Sequence, residues 1–257
     1  MSTTGKARDT IRIIPLPGIP EVERGSSLVR LVIEAAARAG VGISDGDVVA
    51  VAQKIISKAE GRLAQLGEIE PSTEAIKHAR RMNRDPRYLQ VILGESKRVV
   101  RATERVLISE TRHGWICANA GVDQSNVSAG EVVSLLPLDA DASARRLRVE
   151  IEREAKARVA VIITDTFGRP WRLGLTNVAI GAAGLQVLKD YRDSRDSAGR
   201  PLQSTLVAVA DELAAASGLA MGKISRIPAV VIRGYKFEAG ESKATEMIRP
   251  KEEDLFP

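Results

Sequence analysis

Asp165 and Thr166 follow directly on the apolar run RVAVIIT at 158–164. A carboxylate beside a hydroxyl can hold Mg²⁺ or Mn²⁺, hard cations that take oxygen ligands. The plainer use of such a pair is to cap a turn. Asp123 lies in a second oxygen-rich stretch, Asn119-Ala120-Gly121-Val122-Asp123-Gln124-Ser125-Asn126, which also reads as an Asx-turn. Two such stretches in one chain favour a shared metal-phosphate site. Lys54 and Lys58, in QKIISK after the apolar run 47–52, can neutralise phosphate or line a solvated basic edge. Arg169 and Arg172 flank Trp171. They can bind a carboxylate or phosphate, or Trp171 packs and the arginines lie on the surface.

Other chemistries find little support. The only histidines are His78, among Lys77, Arg80 and Arg81, and His113, in a polar turn. That argues against a histidine zinc site or a Ser-His-Asp triad. Cys117, between Ile116 and Ala118, reads as a small buried hydrophobe rather than a nucleophile. Gly218-Leu219-Ala220-Met221-Gly222-Lys223-Ile224 falls short of a phosphate-binding P-loop: it has one residue too few before Gly-Lys, and Ile where Ser or Thr is needed. Gly181 and Gly184 make no dinucleotide fingerprint.

The elements that must position these groups follow from periodicity. Ile11 to Ile14 read as a short strand, ended by Pro15, Pro17, Gly18 and Pro20. Residues 26–39 form an amphipathic helix with Leu28, Leu31, Val32 and Ala35 on one face, a serine cap and Gly40 at its end. Residues 47–52, 158–164 and 227–233 are near-continuous apolar runs, broken only at their ends by Asp47, Arg158, Thr164 and Arg233, as strands buried on both faces are. Helices are expected in 72–82, from Asp85-Pro86 onward, over 141–157 with Asp141 or Ser143 as cap, and over 203–217. Residues 97–109, 115–119 and 131–136 alternate as strands do. The polar runs 53–62 and 165–172 are then loops at the carboxyl ends of buried strands, where α/β proteins gather functional groups. The fold class is α+β (mixed α/β), with strand order open.

The 257 residues suit one large domain or two small ones. Aromatics are 3%, so the core is aliphatic and stacking platforms for single-stranded nucleic acid are not expected. Thirty-eight basic and 33 acidic residues are interspersed without a basic block, which speaks against nucleic acid. The small positive excess suits phosphorylated or polycarboxylate ligands. One cysteine excludes an internal disulfide and is compatible with a reducing cytoplasm. Residues 1–10 lack the apolar core of a signal peptide. No apolar stretch of about 18 residues occurs, so no membrane span is expected.

Taken in order, PLPGIPEV at 15–22, VVAVAQKIISKAEGR at 48–62, ANAGVDQSNV at 118–127, VIITDTFGRPWRLGLTNVAIGAAG at 161–184, VADELA at 209–214 and IPAVVIRG at 227–234 resemble the coenzyme F420-0:L-glutamate ligase family, from about Ile11 to Phe256. The resemblance implies a cytoplasmic enzyme that adds L-glutamate to the deazaflavin precursor F420-0 through γ-glutamyl links. GTP and divalent metal would drive the reaction through an acyl phosphate. It also implies a ligase domain over 1–257 made of two structural subdomains, in a family-specific fold that intertwines as a homodimer. Asp123, Asp165 and Thr166 would hold two Mg²⁺ or Mn²⁺ ions, with K⁺ as a further ion. GTP contacts would fall on Ile19, Pro20, Glu21, Val22, Gln53, Lys54, Lys58 and Asn126, and on a loop from Met221, Gly222 and Lys223 to Ile227. Arg169 and Arg172 remain the candidates for substrate binding.

Two features depart from the archaeal pattern. Lys223 stands where those members carry an acidic or amide residue that helps hold the second metal, and the loop is one residue shorter. The ending RPKEEDLFP is similar to the junction in bacterial proteins that continue into a flavin-binding reductase half. The expectation is a bacterial-type ligase standing alone, with a separate flavin-dependent reductase in its pathway. Other readings keep the chemistry on a different acceptor, such as a folate, or bind nucleotide without turnover.

Overall fold

The computed structural model describes residues 10–124, 131–192 and 194–254. In chain order the elements begin β1 (Arg12–Pro15), α1 (Leu28–Arg38), β2 (Val48–Ala52), α2 (Gln53–Ala59), β3 (Leu63–Gln65), α3 (Thr73–Met82), α4 (Pro86–Glu95), β4 (Ser96–Ala102), β5 (Leu107–Thr111), β6 (Ile116–Ala118) and β7 (Val132–Ser134). They continue with α5 (Ala140–Ala155), β8 (Ala160–Arg169), β9 (Arg172–Ala183), β10 (Lys189–Asp190), β11 (Leu206–Val207), α6 (Val209–Met221) and β12 (Ala229–Arg233). Mixed helices and sheets make this an α+β protein, as the sequence predicts.

The central sheet runs β1-β12-β2-β8-β9. Only β2 and β8 are parallel; the other pairs are antiparallel. The inner strands alternate between two covered faces. Val49, Val51, Val161, Ile163 and Val231 pack under α1 and α5. Val48, Ala50, Ala160, Ile162, Val230 and Ile232 pack under α6. Burial on both faces is why these strands read as unbroken apolar runs. A third apolar cluster, including Leu66, Met82, Leu89, Ile92, Leu107, Val122 and Val133, lies among the residues inserted between α2 and α5.

Local signals account for most helix ends. The Ser27 hydroxyl accepts from the Arg30 N–H at 3.4 Å, Ser72 from Ala75 at 3.2 Å and Asp85 from Arg87 at 2.8 Å. The cap of α5 is Asp139, accepting from Ala142 at 2.8 Å, not Asp141 or Ser143. Asp141 instead sits inside the helix, where its Oδ1 accepts from the Ala182 and Ala244 amides, each at 2.8 Å. Three segments converge there. Gly181 permits the approach, since a Cβ on it would meet the Ala140 carbonyl oxygen at 2.4 Å.

Other expectations are corrected. The alternating run 97–109 is two strands, broken where the Thr103 hydroxyl accepts from Val106 N–H at 3.0 Å. The last helix starts at Val209, because Leu206–Val207 pairs with Lys189–Asp190 instead. Residues 53–59 are helix, not loop. Residues 165–169 continue β8 into a long hairpin with β9, a strand that the sequence reading does not contain. At the opposite end of the sheet, buried Asp47 receives Arg233 Nε at 2.8 Å and Nη2 at 2.7 Å, and Ser44 N–H at 2.8 Å.

Candidate functional site

β2 and β8 are parallel, so their carboxyl ends open side by side. From β2 the chain turns straight into α2, presenting Gln53, Lys54 and Lys58 from a single short helix. Gln53 is buried, and its Oε1 accepts from the Ser57 hydroxyl at 2.8 Å. Lys54 Nζ reaches Asp123 Oδ2 at 2.7 Å. Lys58 pairs with Glu21, on the proline-rich segment after β1. Ile19 and Val22 pin that segment by packing into the core, while Pro20 and Glu21 stay exposed.

Asp123 is brought in from the inserted region. Its main chain exchanges two hydrogen bonds with Ser134, at 3.0 and 2.8 Å. The neighbouring Val122 carbonyl accepts from the Tyr88 hydroxyl at 3.2 Å. The backbone that carries the carboxylate is thus fixed on both sides.

Asp165 and Thr166 sit within β8, opposite Val178 and Asn177. Asp165 therefore caps no turn. Burial pushes its carboxyl up to about 6, and the negative charge of Asp123 adds to the shift. The Thr166 N–H and the charges of Lys223 and Lys54 pull it back. The Thr166 hydroxyl accepts from Lys223 Nζ at 2.5 Å and donates to Asn177 Oδ1 at 3.0 Å. Met221 is buried at the end of α6, its sulfur receiving Thr164 Oγ1 at 3.9 Å and Asn177 Nδ2 at 3.8 Å. Gly222 follows at φ +58, ending the helix and turning the chain so that Lys223 faces Thr166.

The structure thus gathers Asp123, Asp165, Thr166, Lys54 and Lys223 into one electrostatic group, flanked by Gln53, Lys58 and Glu21. Asn126 lies outside the described residues. Arg169 and Arg172 are exposed near the hairpin tip, where Arg169 Nη2 donates to the Leu173 carbonyl at 3.1 Å. At about 3.3 Å per strand residue, Arg169 is about 13 Å along β8 from Asp165. Cys117 is buried and feels the charge of Asp165, its thiol pushed up to about 12, which makes it a poor nucleophile. Two clefts, of about 210 and 290 Å³, involve Lys189 and Tyr235, and Gly46 and Gly234. They lie at the far end of the sheet and contain none of the residues singled out by sequence.

Asn177 is the residue that sequence reasoning missed. The signal was available in the long hairpin: 172–183 holds one amide side chain among mostly apolar residues, and strand pairing sets it against Thr166.

The donors at Asp123, Asp165 and Thr166 are all hard oxygens, suited to Mg²⁺ or Mn²⁺. Two carboxylates whose charges oppose each other in a half-buried place also gain from a cation. No group of three His, Cys, Asp or Glu side chains gathers among the described residues. Protein oxygens alone would therefore leave positions open to phosphate and water, the usual manner of Mg²⁺ binding.

The family model described as F420-0:Gamma-glutamyl ligase matches residues 18–234. A protein named coenzyme F420:L-glutamate ligase in Methanothermobacter thermautotrophicus is 43% identical over 249 residues, covering 96% of this chain and 98% of its own. Its namesake in Methanopyrus kandleri is 46% identical over 252 residues, with the same coverage of 96% and 98%. The one in Methanocaldococcus jannaschii is 45% identical over 215 residues, 83% of this chain and 86% of its own. A match across every segment that builds the carboxyl end of β2 and β8 places the chain in the F420-0:gamma-glutamyl ligase family.

Proposed function

We propose that this chain is a GTP- and divalent-cation-dependent ligase that adds L-glutamate to coenzyme F420-0 through γ-glutamyl links. The observation that carries the reading is the meeting of Asp123, Asp165 and Thr166 with Lys54, Lys58 and Lys223 at one strand end. A carboxylate is a poor electrophile at neutral pH. Transfer of the γ-phosphoryl of GTP to it gives an acyl phosphate and GDP. The glutamate amine then attacks the acyl carbon, expels phosphate and sheds a proton, leaving the amide. This chemistry asks for positioning and charge neutralisation and for no protein nucleophile, in keeping with an inert Cys117.

Asp123, Asp165 and Thr166 would hold the cation, which when bound neutralises phosphate charge. A second divalent ion and K⁺ belong to the same proposal. Lys54, Lys58 and Lys223 already bond to acceptors in the site. To serve a triphosphate they exchange those acceptors for phosphate oxygens, which keeps each ammonium paired throughout. Ile19, Pro20, Glu21 and Val22, with Gln53, Met221 and Gly222, would wall the nucleotide.

Incubation with F420-0, L-glutamate, GTP and Mn²⁺, followed by mass spectrometry, is expected to show added glutamyl residues, with ATP a much poorer substitute. Product formed without GTP, or GTP hydrolysis without an amide, overturns the reading.

A homodimer is part of the proposal. The hairpin arm of β8 and β9 exposes Trp171, Leu173 and Leu175, with Leu173 99% exposed, and Ile224 after α6 is 94% exposed. Apolar surface of this kind on a projecting arm suits a second copy. Light scattering at micromolar concentration is expected to give twice the 27.6 kDa chain mass; a monomer would reject it. A cytoplasmic setting and a separate reductase in the pathway are the remaining proposals; among the described residues no helix is long and apolar enough to cross a membrane.

A further inference from the structure

β8 and β9 begin their pairing in one register and finish it in another. Val161, Ile162 and Ile163 face Ala183, Ala182 and Gly181. Thr164 then faces Ala179, and the new register runs through Asp165–Val178 to Thr166–Asn177. Ile180 is the extra residue, a β-bulge on the β9 side. Had the first register continued, Thr166 would face Val178. A shift of one residue moves a side chain to the opposite face of a sheet. The bulge is therefore what sets Asn177 beside Thr166.

A bulge leaves backbone groups outside the ladder. The Ala179 N–H is taken by Asp211 Oδ1 at 2.9 Å, from the first turn of α6. The same helix confines Asn177 at its other end. Gly218 lies so close that a Cβ there would be 3.0 Å from Asn177 Cγ, and the Met221 sulfur receives Asn177 Nδ2. With its amide so held, Asn177 offers Oδ1 to the Thr166 hydroxyl proton. Once that proton is committed, the lone pairs of Thr166 are directed away from Asn177, where Lys223 Nζ now meets them.

We propose that Asn177 is a positioning residue that aims the Thr166 oxygen as a cation ligand, and that Asp211 sets Asn177 in place by holding the bulge at Ile180. This rests on the reading of Asp123, Asp165 and Thr166 as the cation site. Outer groups that orient a metal ligand commonly change metal affinity by about 10- to 100-fold when removed.

The test is Mn²⁺ binding by the full chain, followed by the loss of the free Mn²⁺ electron paramagnetic resonance signal, with the KM for Mn²⁺ and thermal melts alongside. Asn177→Ala and Asp211→Ala are expected to weaken Mn²⁺ binding about tenfold and to raise its KM to match. Asp211→Asn, which keeps an acceptor for Ala179, should stay within about twofold of wild type. Asn177 is only partly buried, so Asn177→Ala carries the test alone if Asp211→Ala does not fold. Wild-type Mn²⁺ affinity in folded Asn177→Ala overturns the inference even if its melt falls, because that is the result of a purely structural role. A wild-type protein that binds no Mn²⁺ overturns the cation site itself and this inference with it.

Discussion

Asp165→Asn is expected to lose glutamate addition by about a thousandfold while its melting temperature at pH 7.5 rises above that of the wild type. The rate effect follows from charge. An amide keeps the shape and one oxygen but not the anion that holds a cation against phosphate, a contribution worth several kcal/mol, and each 1.36 kcal/mol is tenfold in rate. The stability effect follows from burial, which pushes the Asp165 carboxyl from 3.8 up to about 6. Folding therefore favours the protonated acid. Below pH 3.8 both states are protonated and nothing is lost; as pH rises through 6 the folded state alone bears the cost of an awkward charge. That cost is about 3 kcal/mol at the most. The partly open face of the side chain reduces it, and 1–2 kcal/mol, or about 2–8 °C, is the expected gain on substitution. Melts of both proteins from pH 4 to 8 check this. The gap should open between pH 4 and 6 and stay constant above. Near-normal turnover at low Mn²⁺ would remove Asp165 from the cation site.

Asp47→Ala is expected to cost about 3 kcal/mol and to lower the melting temperature by about 6–12 °C. Asp47 is fully buried and receives two bonds from the Arg233 guanidinium and one from the Ser44 amide. Removing it leaves the Arg233 guanidinium, whose side chain is 27% exposed, without its carboxylate, although the Val41 and Gly42 carbonyls at 3.3 and 3.2 Å still accept from it. The pair lies at the end of the sheet away from Asp165. Glutamate addition per folded molecule at 25 °C should therefore stay within about twofold of wild type, which distinguishes a fastener of the sheet from a part of the site. A melt unchanged to within 2 °C would mean that the remaining carbonyls suffice.

What could be read beforehand divides by the range of the interaction. The core strands are legible in the runs 47–52, 158–164 and 227–233 because burial on both faces writes itself into nearly every residue. The serine cap of α1 and Asp85 at the start of α4 are legible because a cap acts within three residues. Asp141 reads as a cap as readily as Asp139 because both lie at the start of the same helix; only the packed sheet shows that Asp141 serves Ala182 and Ala244, 41 and 103 residues away. Strand β9 does not show in the sequence because Gly174, Gly181 and polar Thr176 and Asn177 break its alternation, and because its outer half is exposed rather than half-buried. The polar residues after β2 and within β8 declared their chemistry by type. That Lys54 meets Asp123, and Lys223 meets Thr166, depends on segments 69 and 57 residues apart, and pairings at that range leave no local trace.

The order of strands has a consequence for how the chain comes to be folded. β12 is wedged between β1 and β2, pairing Arg12 with Arg233 on one side and Val48 with Ile232 on the other. A chain growing from its amino end can assemble β2, β8 and β9, but it cannot seat β1 until residue 233 has emerged from the ribosome. Until then one edge of β2 stays open, an invitation to foreign strands. Closing the sheet also brings together residues more than 200 apart, the kind of contact that slows folding. The nascent protein should thus be at its most aggregation-prone late in synthesis, and a brief wait for the last strand, rather than the chemistry of the site, should govern how much of it reaches the native state.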